Sequence, residues 1–358
     1  MSGYVKDMHI LNIRDADSTI QDNFIHNRLN FRYYANKNLT AGLELRNRFF
    51  YGEALEANPI FKDVIGADYG LVDLSFNLVE SKSFVLNSAI DRAWLDYMND
   101  DWNIRIGRQR INWGLNLAWN PNDIFNAYDF TDFDYEERPG SDAIKIQRFL
   151  KGMNNIELVY KFTGNYDSDI YALKYGFNKW KYDFQVFAAK AEKDAAIGTG
   201  WAGSIKNVGF KGEATYFHPY DHLDSAAGVV GTALSFDYTF KKGIYVNFGT
   251  LFNSGGLDSP DAIAASEIFA QGIAAKNLSP SQFSYMTQVA GNFTPLFTWS
   301  GSAIYLQGIN TLFLMPSVSY SISNTWDVNL LGQIYLGEQQ QVFRHLGSAV
   351  FLRLKWSF

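Results

Sequence analysis

The C-terminal segment 346–358 constrains the fold more than any other stretch of the chain. Val350, Leu352, Leu354, Trp356 and Phe358 share one face of an extended backbone, and Arg353, Lys355 and Ser357 share the other. Side chains alternate across a strand, so the pattern describes a β-strand with one apolar and one polar side. The same pattern recurs upstream. Ile156, Leu158, Tyr160 and Phe162 oppose Glu157 and Lys161, and Trp180, Tyr182, Phe184 and Val186 oppose Lys181, Asp183 and Gln185. Val230, Leu234, Phe236, Tyr238 and Phe240 oppose Ser235, Asp237 and Thr239. Leu312, Leu314, Val318, Tyr320 and Ile322 oppose Ser317, Ser319 and Ser321, while Trp326, Val328, Leu330 and Ile334 oppose Asp327, Asn329 and Gln333. In a soluble sandwich the apolar face would be the inside, and in a transmembrane barrel the outside. Periodicity alone does not separate the two.

Three features favour the barrel: the number of strands, aromatic residues near strand ends, and the lack of a helical layer. Strands are expected near 2–13, 20–35, 39–53, 84–98, 101–114, 141–150, 154–164, 168–178, 179–193, 196–206, 207–218, 226–241, 242–254, 282–294, 297–308, 311–323, 324–336 and 346–358. That is eighteen, with sixteen as the alternative because 196–218 and 297–308 are weak. The expectation is therefore an all-β, antiparallel, up-and-down transmembrane barrel with both termini in the periplasm. Residues 1–358 show no linker or composition break and read as one domain. No run approaches the roughly 20 apolar residues of a membrane-spanning helix. A content of 47% hydrophobic and 16% aromatic residues suits a barrel, in which only alternate strand residues meet lipid.

Cysteine is absent, which excludes disulfides, thiolate metal sites and cysteine nucleophiles. A net charge of −6 gives no basic footprint for nucleic acid. Residues 1–6 open directly on a strand-like pattern, so a secretion signal is expected to have been removed. Short turns at 36–38, 99–101 and 241–242 should be periplasmic. The connections 54–83, 115–140 and 255–281 should be extracellular loops, the last with a short helix over 260–277 (Ala264, Ile268, Gln271, Ala275). One strand breaks phase: after Ile104 and Ile106, continued alternation would send Arg108 and Arg110 to lipid, at a cost of several kcal/mol. A bulge at Gly107 would turn Arg108, Arg110 and Asn112 inward and Ile111 and Trp113 outward. Asp91 and Arg92 pose a similar conflict, being adjacent and so opposed on a regular strand.

The arginines are concentrated. Ten of the thirteen lie between Arg28 and Arg148. His26, Arg28, Asn30 and Arg32 share one face of a strand, as do Glu44, Arg46 and Arg48, and both sets oppose apolar residues. With Arg105, Arg108, Arg110 and Lys145 they are expected to form a basic interior wall that focuses the field in a narrow pore. Pairing with interior carboxylates, stiffening the barrel, is the other reading. The loop 115–140 follows, too long for an idle hairpin connection. Its acidic run, Asp129, Asp132, Asp134, Glu136 and Glu137 with Arg138, is expected to fold into the lumen and face the arginines across a constriction. Hard oxygen ligands at Asp129, Asp132, Asp134 and Glu136 would also suit a calcium-stabilised surface loop, although no cofactor is the primary expectation.

The stretch Gly107-Arg108-Gln109 to Trp113-Gly114, followed by Asn120-Pro121-Asn122-Asp123, resembles the GRQ-x-x-x-WG…NP-x-D signature of porin-like outer-membrane proteins, including the alginate-export and related porin families. The segments 3–6, 26–31 and 44–48 are similar to members from Bacteroidetes-type Gram-negative bacteria. A chain ending in Phe358 after Trp356 and Leu354 resembles the assembly signal of outer-membrane barrels. The resemblance implies a porin-like barrel in the cell outer membrane. Its implied partners are membrane lipid, lipopolysaccharide and, during biogenesis, the barrel-assembly machinery. Alginate exporters are similar in their arginine-lined lumen, but the acidic loop departs from a uniformly basic conduit.

Other chemistry has little support. His218 and His222 with Asp221 and Asp224 could bind a metal, but Pro219 disrupts a helical presentation. A barrel hydrolase would need a lipid-facing Ser–His pair, and Ser168 and Tyr171 lie near no histidine in sequence. No glycine-rich nucleotide fingerprint follows a strand. The primary expectation is therefore a non-enzymatic channel for small polar, anionic solutes, with loop 115–140 setting its width. The second is a non-conducting barrel serving as a subunit of a larger assembly, secretion or export complex.

Overall fold

The computed structural model describes residues 1–15, 18–57, 61–68, 70–127, 140–221, 227–259, 273–339 and 342–358. In chain order the wall begins with β1 (Ser2–Asp15), β2 (Ser18–Tyr34) and β3 (Leu39–Gly52). Two short helices, α1 (Glu53–Ala57) and α2 (Phe61–Gly66), and a short strand, β4 (Ser75–Glu80), occupy the first long loop. The wall resumes with β5 (Phe84–Met98), β6 (Trp102–Gln109), β7 (Ser141–Phe149), β8 (Asn155–Lys161), β9 (Ile170–Lys179) and β10 (Tyr182–Ala191). It continues through β11 (Asp194–Ile205), β12 (Val208–Pro219), β13 (Val229–Thr239), β14 (Tyr245–Asn253) and β15 (Phe283–Thr294). It ends with β16 (Phe297–Leu306), β17 (Thr311–Ser321), β18 (Trp326–Gln339) and β19 (Val342–Ser357).

Each wall strand pairs antiparallel with its neighbours in sequence, and β1 pairs with β19 to close the ring. At the seam Gly3 N donates to Phe358 O at 2.9 Å and Phe358 N donates to Gly3 O at 3.0 Å. The sheet holds nineteen strands, of which β4 pairs only with β5. The closed barrel has eighteen. Pairing β1 with β19 removes the two long edges that an open sheet would present to lipid.

The alternation survives along most of the wall. Leu158, Leu173, Ile197, Leu330 and Leu352 are about half exposed or more on the outer wall, whereas Lys6, Arg28, Glu213 and Asn247 are buried inside. In water such an apolar belt would far exceed the patches a soluble monomer tolerates; in a bilayer it is the favourable side. Trp326 and Trp356 stack at 6.1 Å and Trp356 meets Phe358 at 5.0 Å, forming part of an aromatic girdle at the end that carries both termini. Among the described residues no helix is long and apolar enough to cross a membrane; the crossing is made by strands.

The weak segments 196–218 and 297–308 are full strands, β11, β12 and β16. For β11 the poor signal has a cause inside the barrel. A Cβ at Gly198 would meet the Phe187 ring at 2.3 Å, and one at Gly200 would meet the Asn122 amide at 2.8 Å. Small residues here leave room for other groups.

Two irregularities fall in different places from those expected. The β6 register runs unbroken through Gly107, with Leu95 opposite Ile106 and Ala93 opposite Arg108, so the expected bulge is absent. Gly107 instead takes a φ of 112°, where a Cβ would meet the Ala93 carbonyl at 2.3 Å. The bulge lies in β5, where Glu44 faces Arg92 and Leu45 faces Ile90, leaving Asp91 as the extra residue. This resolves the Asp91–Arg92 conflict, because both side chains now reach interior partners: Asp91 meets Arg28 and Arg46, and Arg92 meets Glu44.

The strand expected to reach residue 114 also stops early. β6 ends at Gln109, whose side-chain amide donates to the carbonyls of Arg105 and Ala143, both at 3.0 Å. Above that level β4 takes over the edge of β5, with Ser75 opposite Ala89 and Asn77 opposite Asn87. Ile111 and Trp113 are 2% and 1% exposed in an interior cluster, not directed to lipid. Most of the helix expected over 260–277 falls on 260–272, outside the described residues; residues 273–277 are not helical.

Candidate pore interior

Strands β2, β3 and β5 build an ionic wall from the inward positions that parity assigns. Arg28 is 1% exposed and bridges two carboxylates, Asp91 through Nη1 at 2.5 Å and Glu44 through Nη2 at 2.6 Å. Glu44 also accepts from Arg32 at 2.9 Å and lies 3.3 Å from Arg92. Asp91 lies 2.9 Å from the Arg46 Nε, in ion contact but outside hydrogen-bond geometry. Arg48 donates to the Ile65 carbonyl at 2.9 Å and to Asn87 at 3.1 Å. Arg32 and Arg105 both lie over the Trp94 ring, at 4.6 and 4.4 Å from its centre. Arg105 is further fixed by Asp96 at 2.7 Å. Four of these arginines (28, 32, 46 and 92) meet Glu44 or Asp91, while Arg48 is held by a carbonyl and an amide, so the arginines outnumber the two carboxylates that hold them. Carboxylates pin the deepest of them, Arg28, at both ends of its guanidinium.

Arg108 is placed differently. The register sets it with Ile106 on the outer side of β6, where segment 68–72 meets it. It donates to Asp142 through Nε at 2.7 Å, to Asp68 at 2.5 Å and to the Val72 carbonyl at 2.7 Å. The chain therefore covers a wall arginine with its own loop instead of turning it inward. Lys145 stands opposite Arg105 in the β6–β7 register. Asp129, Asp132, Asp134, Glu136, Glu137 and Arg138 lie outside the described residues, as does His222.

The described part of the long loop, 110–127, crosses the lumen to the far wall. Trp113 donates its indole N–H to Glu157 at 2.6 Å, packs edge-on against Phe125 at 5.0 Å, and carries Lys174 over its ring at 4.7 Å. The main anchor is Glu213 on β12, a residue that sequence reasoning missed. It is fully buried and accepts from the backbone N–H groups of Leu115, Asn116 and Asn122 and from the Asn116 amide. A carboxylate taking four N–H donors fixes the loop at two points of its path. The signal available was a lone Glu on an inward position of a glycine-rich strand pair.

The loop's own motif residues serve this crossing. The Asn120 side chain accepts from Asn116 N at 2.8 Å, and a Cβ at Gly114 would meet that side chain at 2.5 Å. Asn122 donates to the Thr199 carbonyl at 3.1 Å and accepts from Thr215 at 2.7 Å. Ala118 and Trp119 pack on Ala233, Leu251, Met286, Ile304 and Phe313. The return leg is held by Asn126, which donates to the Ile111 carbonyl at 3.3 Å and accepts from Ser141 at 3.1 Å.

Between the ionic wall and this loop lies a cavity of about 540 Å³, lined by Arg46, Arg48, Asp91, Asn126, Ser141 and Lys161 and closed on one side by Asp68, Arg108 and Asp142. A smaller cavity of about 340 Å³ adjoins it through Ile124, Glu192 and Ala274–Ala275, and includes Asp194 held by Lys276 at 2.8 Å. Both cavities sit where the long loops dip into the barrel. Among the described residues no cluster of His, Asp or Glu is arranged to hold a metal.

Solved structures with the same architecture are bacterial porins. The chain aligns over 100% of its length with 98% of Pseudomonas aeruginosa OccK5 (OpdH), at a TM-score of 0.62 and 7% identity. It aligns likewise with 96% of OccK11 (OpdR) at a TM-score of 0.59 and 8% identity, and with 95% of OprD at 0.58 and 7%, both from the same organism. No protein-family model matches the chain, and no curated protein sequence does. At these identities the likeness establishes the fold. Together with the apolar outer wall it makes this an outer-membrane β-barrel of eighteen strands.

Proposed function

We propose that the protein is a porin-like channel that passes small polar solutes across the outer membrane, with a preference for anions, along the arginine wall. The observation that carries this reading is the cavity of about 540 Å³ between the basic wall and the inward loop, where Arg46, Arg48 and Lys161 face open space with Asp91 and Glu192, and Arg108 is paired with Asp68 and Asp142. A surplus of cationic groups in a narrow low-dielectric passage attracts anions and repels cations. The inward loop supports the second half of the reading, a passage whose width is set by residues 110–140. The likeness to OccK5, OccK11 and OprD supports a channel over a catalyst.

Planar-bilayer recording of the purified protein in a potassium chloride gradient tests the reading. Discrete current steps are expected, with a reversal potential on the chloride side that moves toward zero in Arg46→Ala with Arg48→Ala. A silent bilayer, or a cation preference in the wild type, would overturn it.

A further inference from the structure

The wall is interrupted beside β6. Strands β6 and β7 are 8 and 9 residues long, against 14 to 17 for β1 to β3. Above Gln109 the chain leaves the wall for the lumen, and β4, on the edge of β5, pairs with no second strand among the described residues. Between β4 and the β8–β9 turn the barrel is closed by Ala67, Asp68 and residues 70–74, none of them in a helix or strand. A Cβ at Gly164, in that turn, would lie 3.8 Å from the Leu71 side chain. The closure stands within the bilayer. Arg108 is six residues above Trp102 on β6, which at 3.3 Å per residue and a tilt near 40° is about 15 Å, the outer half of an apolar band about 25 Å tall. Leu71 and Val72 beside it are 51% and 54% exposed.

Wall strands hold one another by backbone ladders, and this segment does not. Its Leu74 carbonyl accepts from Ile90 at 2.9 Å, which continues the β4–β5 pairing. Between Asp68 and Val72 two side chains of the wall do the fastening. Asp142 accepts from Leu71 N at 2.7 Å and Val72 N at 3.4 Å, and Arg108 donates to Asp68 at 2.5 Å and to the Val72 carbonyl at 2.7 Å. Arg108 and Asp142 also grip each other through two bonds of 2.7 Å. That bidentate pair stays whole when the segment swings away, so opening breaks only the four outer bonds and strands no buried charge. A stretch held by so few bonds opens far more readily than a strand in the ladder.

Directly behind the segment lies the cavity of about 540 Å³, lined by Asp68, Gly70 and Arg108 from this side and by Arg46, Arg48 and Lys161 from within. Ile65, Phe125 and Phe162 add apolar surface to it. Irregular backbone at membrane depth is stable where it borders such a cavity. We propose that segment 68–72 is a side door between this cavity and the outer leaflet, and that it admits a single-chain amphiphile with a carboxylate head. This substrate class presupposes the anion-attracting cavity proposed above. The head takes the place of Asp68 on Arg108 and passes to Arg46 and Arg48, while the tail rests on Phe162 and the acyl chains outside. An anion without an apolar tail does not approach through hydrocarbon, and a tail without a charged head gains nothing from the arginines.

Palmitate carrying a diazirine on its chain, added to proteoliposomes of phosphatidylethanolamine and phosphatidylglycerol, tests the door by photolabelling and peptide mapping. Adducts are expected to concentrate on residues 62–74, on Phe162 and on Phe125 inside the lumen, and to be displaced by plain palmitate. The methyl ester of the probe is expected to leave Phe125 unlabelled. Asp68→Asn, which loosens the fastening, is expected to raise labelling at Phe125 several-fold. In a chain with no cysteine of its own, Leu71→Cys with Thr163→Cys can be bridged by a short bis-maleimide. The bridged protein, its folding checked by heat-modified gel mobility, is expected to lose the Phe125 adduct and to keep its chloride current. Labelling spread evenly to Val186 and Phe248 on the far outer wall, equal labelling by the ester, or an undiminished Phe125 adduct in the bridged protein would each overturn the proposal. A silent bilayer with acid-specific labelling at Phe125 would refute conduction and leave the door standing; current steps with no such labelling would do the reverse.

Discussion

The two sides of the lumen are built on opposite principles. On β2, β3 and β5 the interior is charge against charge, with Glu44 and Asp91 holding the arginines in a ladder. On β10 to β17 it is paved with small and apolar residues, such as Gly198, Gly200, Ala233 and Leu251, and a single carboxylate, Glu213, receives the crossing loop. Charges on the first side are self-sufficient as structure yet leave a basic excess facing the cavity. Trp113, Trp119 and Asn122 cover most of the second side, whose free surface lies at the smaller cavity, along Ala191, Asp194, Phe217 and Val229. The difference teaches that the loop does not divide the pore evenly. It seals one wall and leaves the other as the boundary of the open space.

The largest blow to this asymmetry is expected from Glu213→Leu. The substitution removes the acceptor for three buried backbone N–H groups and an amide, a loss of about 3 kcal/mol or more. A lower temperature for the gel-mobility shift and a larger, noisier single-channel current should follow. An unchanged current would mean that the loop does not set the pore width. Glu44→Gln acts on the other wall and should cost less, about 2 kcal/mol, since the amide still accepts from Arg28 or Arg32 while one negative charge is lost. Its reversal potential should move further toward chloride; a move toward potassium would contradict the basic-excess account.

The smallest effect expected is on the loop end of β9. Burial pushes the Asp169 carboxyl up, but hydrogen bonds from Tyr160 and Thr163 and the charge of Lys190 outweigh it and hold the group below its ordinary range. A depressed carboxylate stabilises the fold above its unfolded pKa of about 3.9, and the contribution is lost as pH falls through the folded value. Amide exchange at Thr163 should therefore stay slow at neutral pH and quicken only in strong acid. In Asp169→Asn it should be fast throughout.

The wall was legible because alternation is a local property. Leu354 and Trp356 declare an outward face without reference to any partner. The arginine positions on β2 and β3 followed from the same parity. The places where the sequence misled are those where a remote segment supplies what the strand lacks. The expected Gly107 bulge assumed that an outward Arg108 would meet lipid, but Asp68 and Val72, about 40 residues earlier, meet it instead. The Asp91 bulge depends on a register between β3 and β5 that no local pattern encodes. Glu213 looked like an ordinary lumen residue, because its donors lie 91 to 98 positions away.

The central claim is that the conducting path runs along the ionic wall and not along the wall that anchors the loop. Accessibility to a negatively charged thiol reagent during bilayer recording tests it, in a chain with no cysteine of its own. Arg46→Cys is expected to react and to lose most of its current, while Ala233→Cys, 1% exposed beneath the loop, is expected to be unaffected. Block at position 233 with none at position 46 would contradict the account.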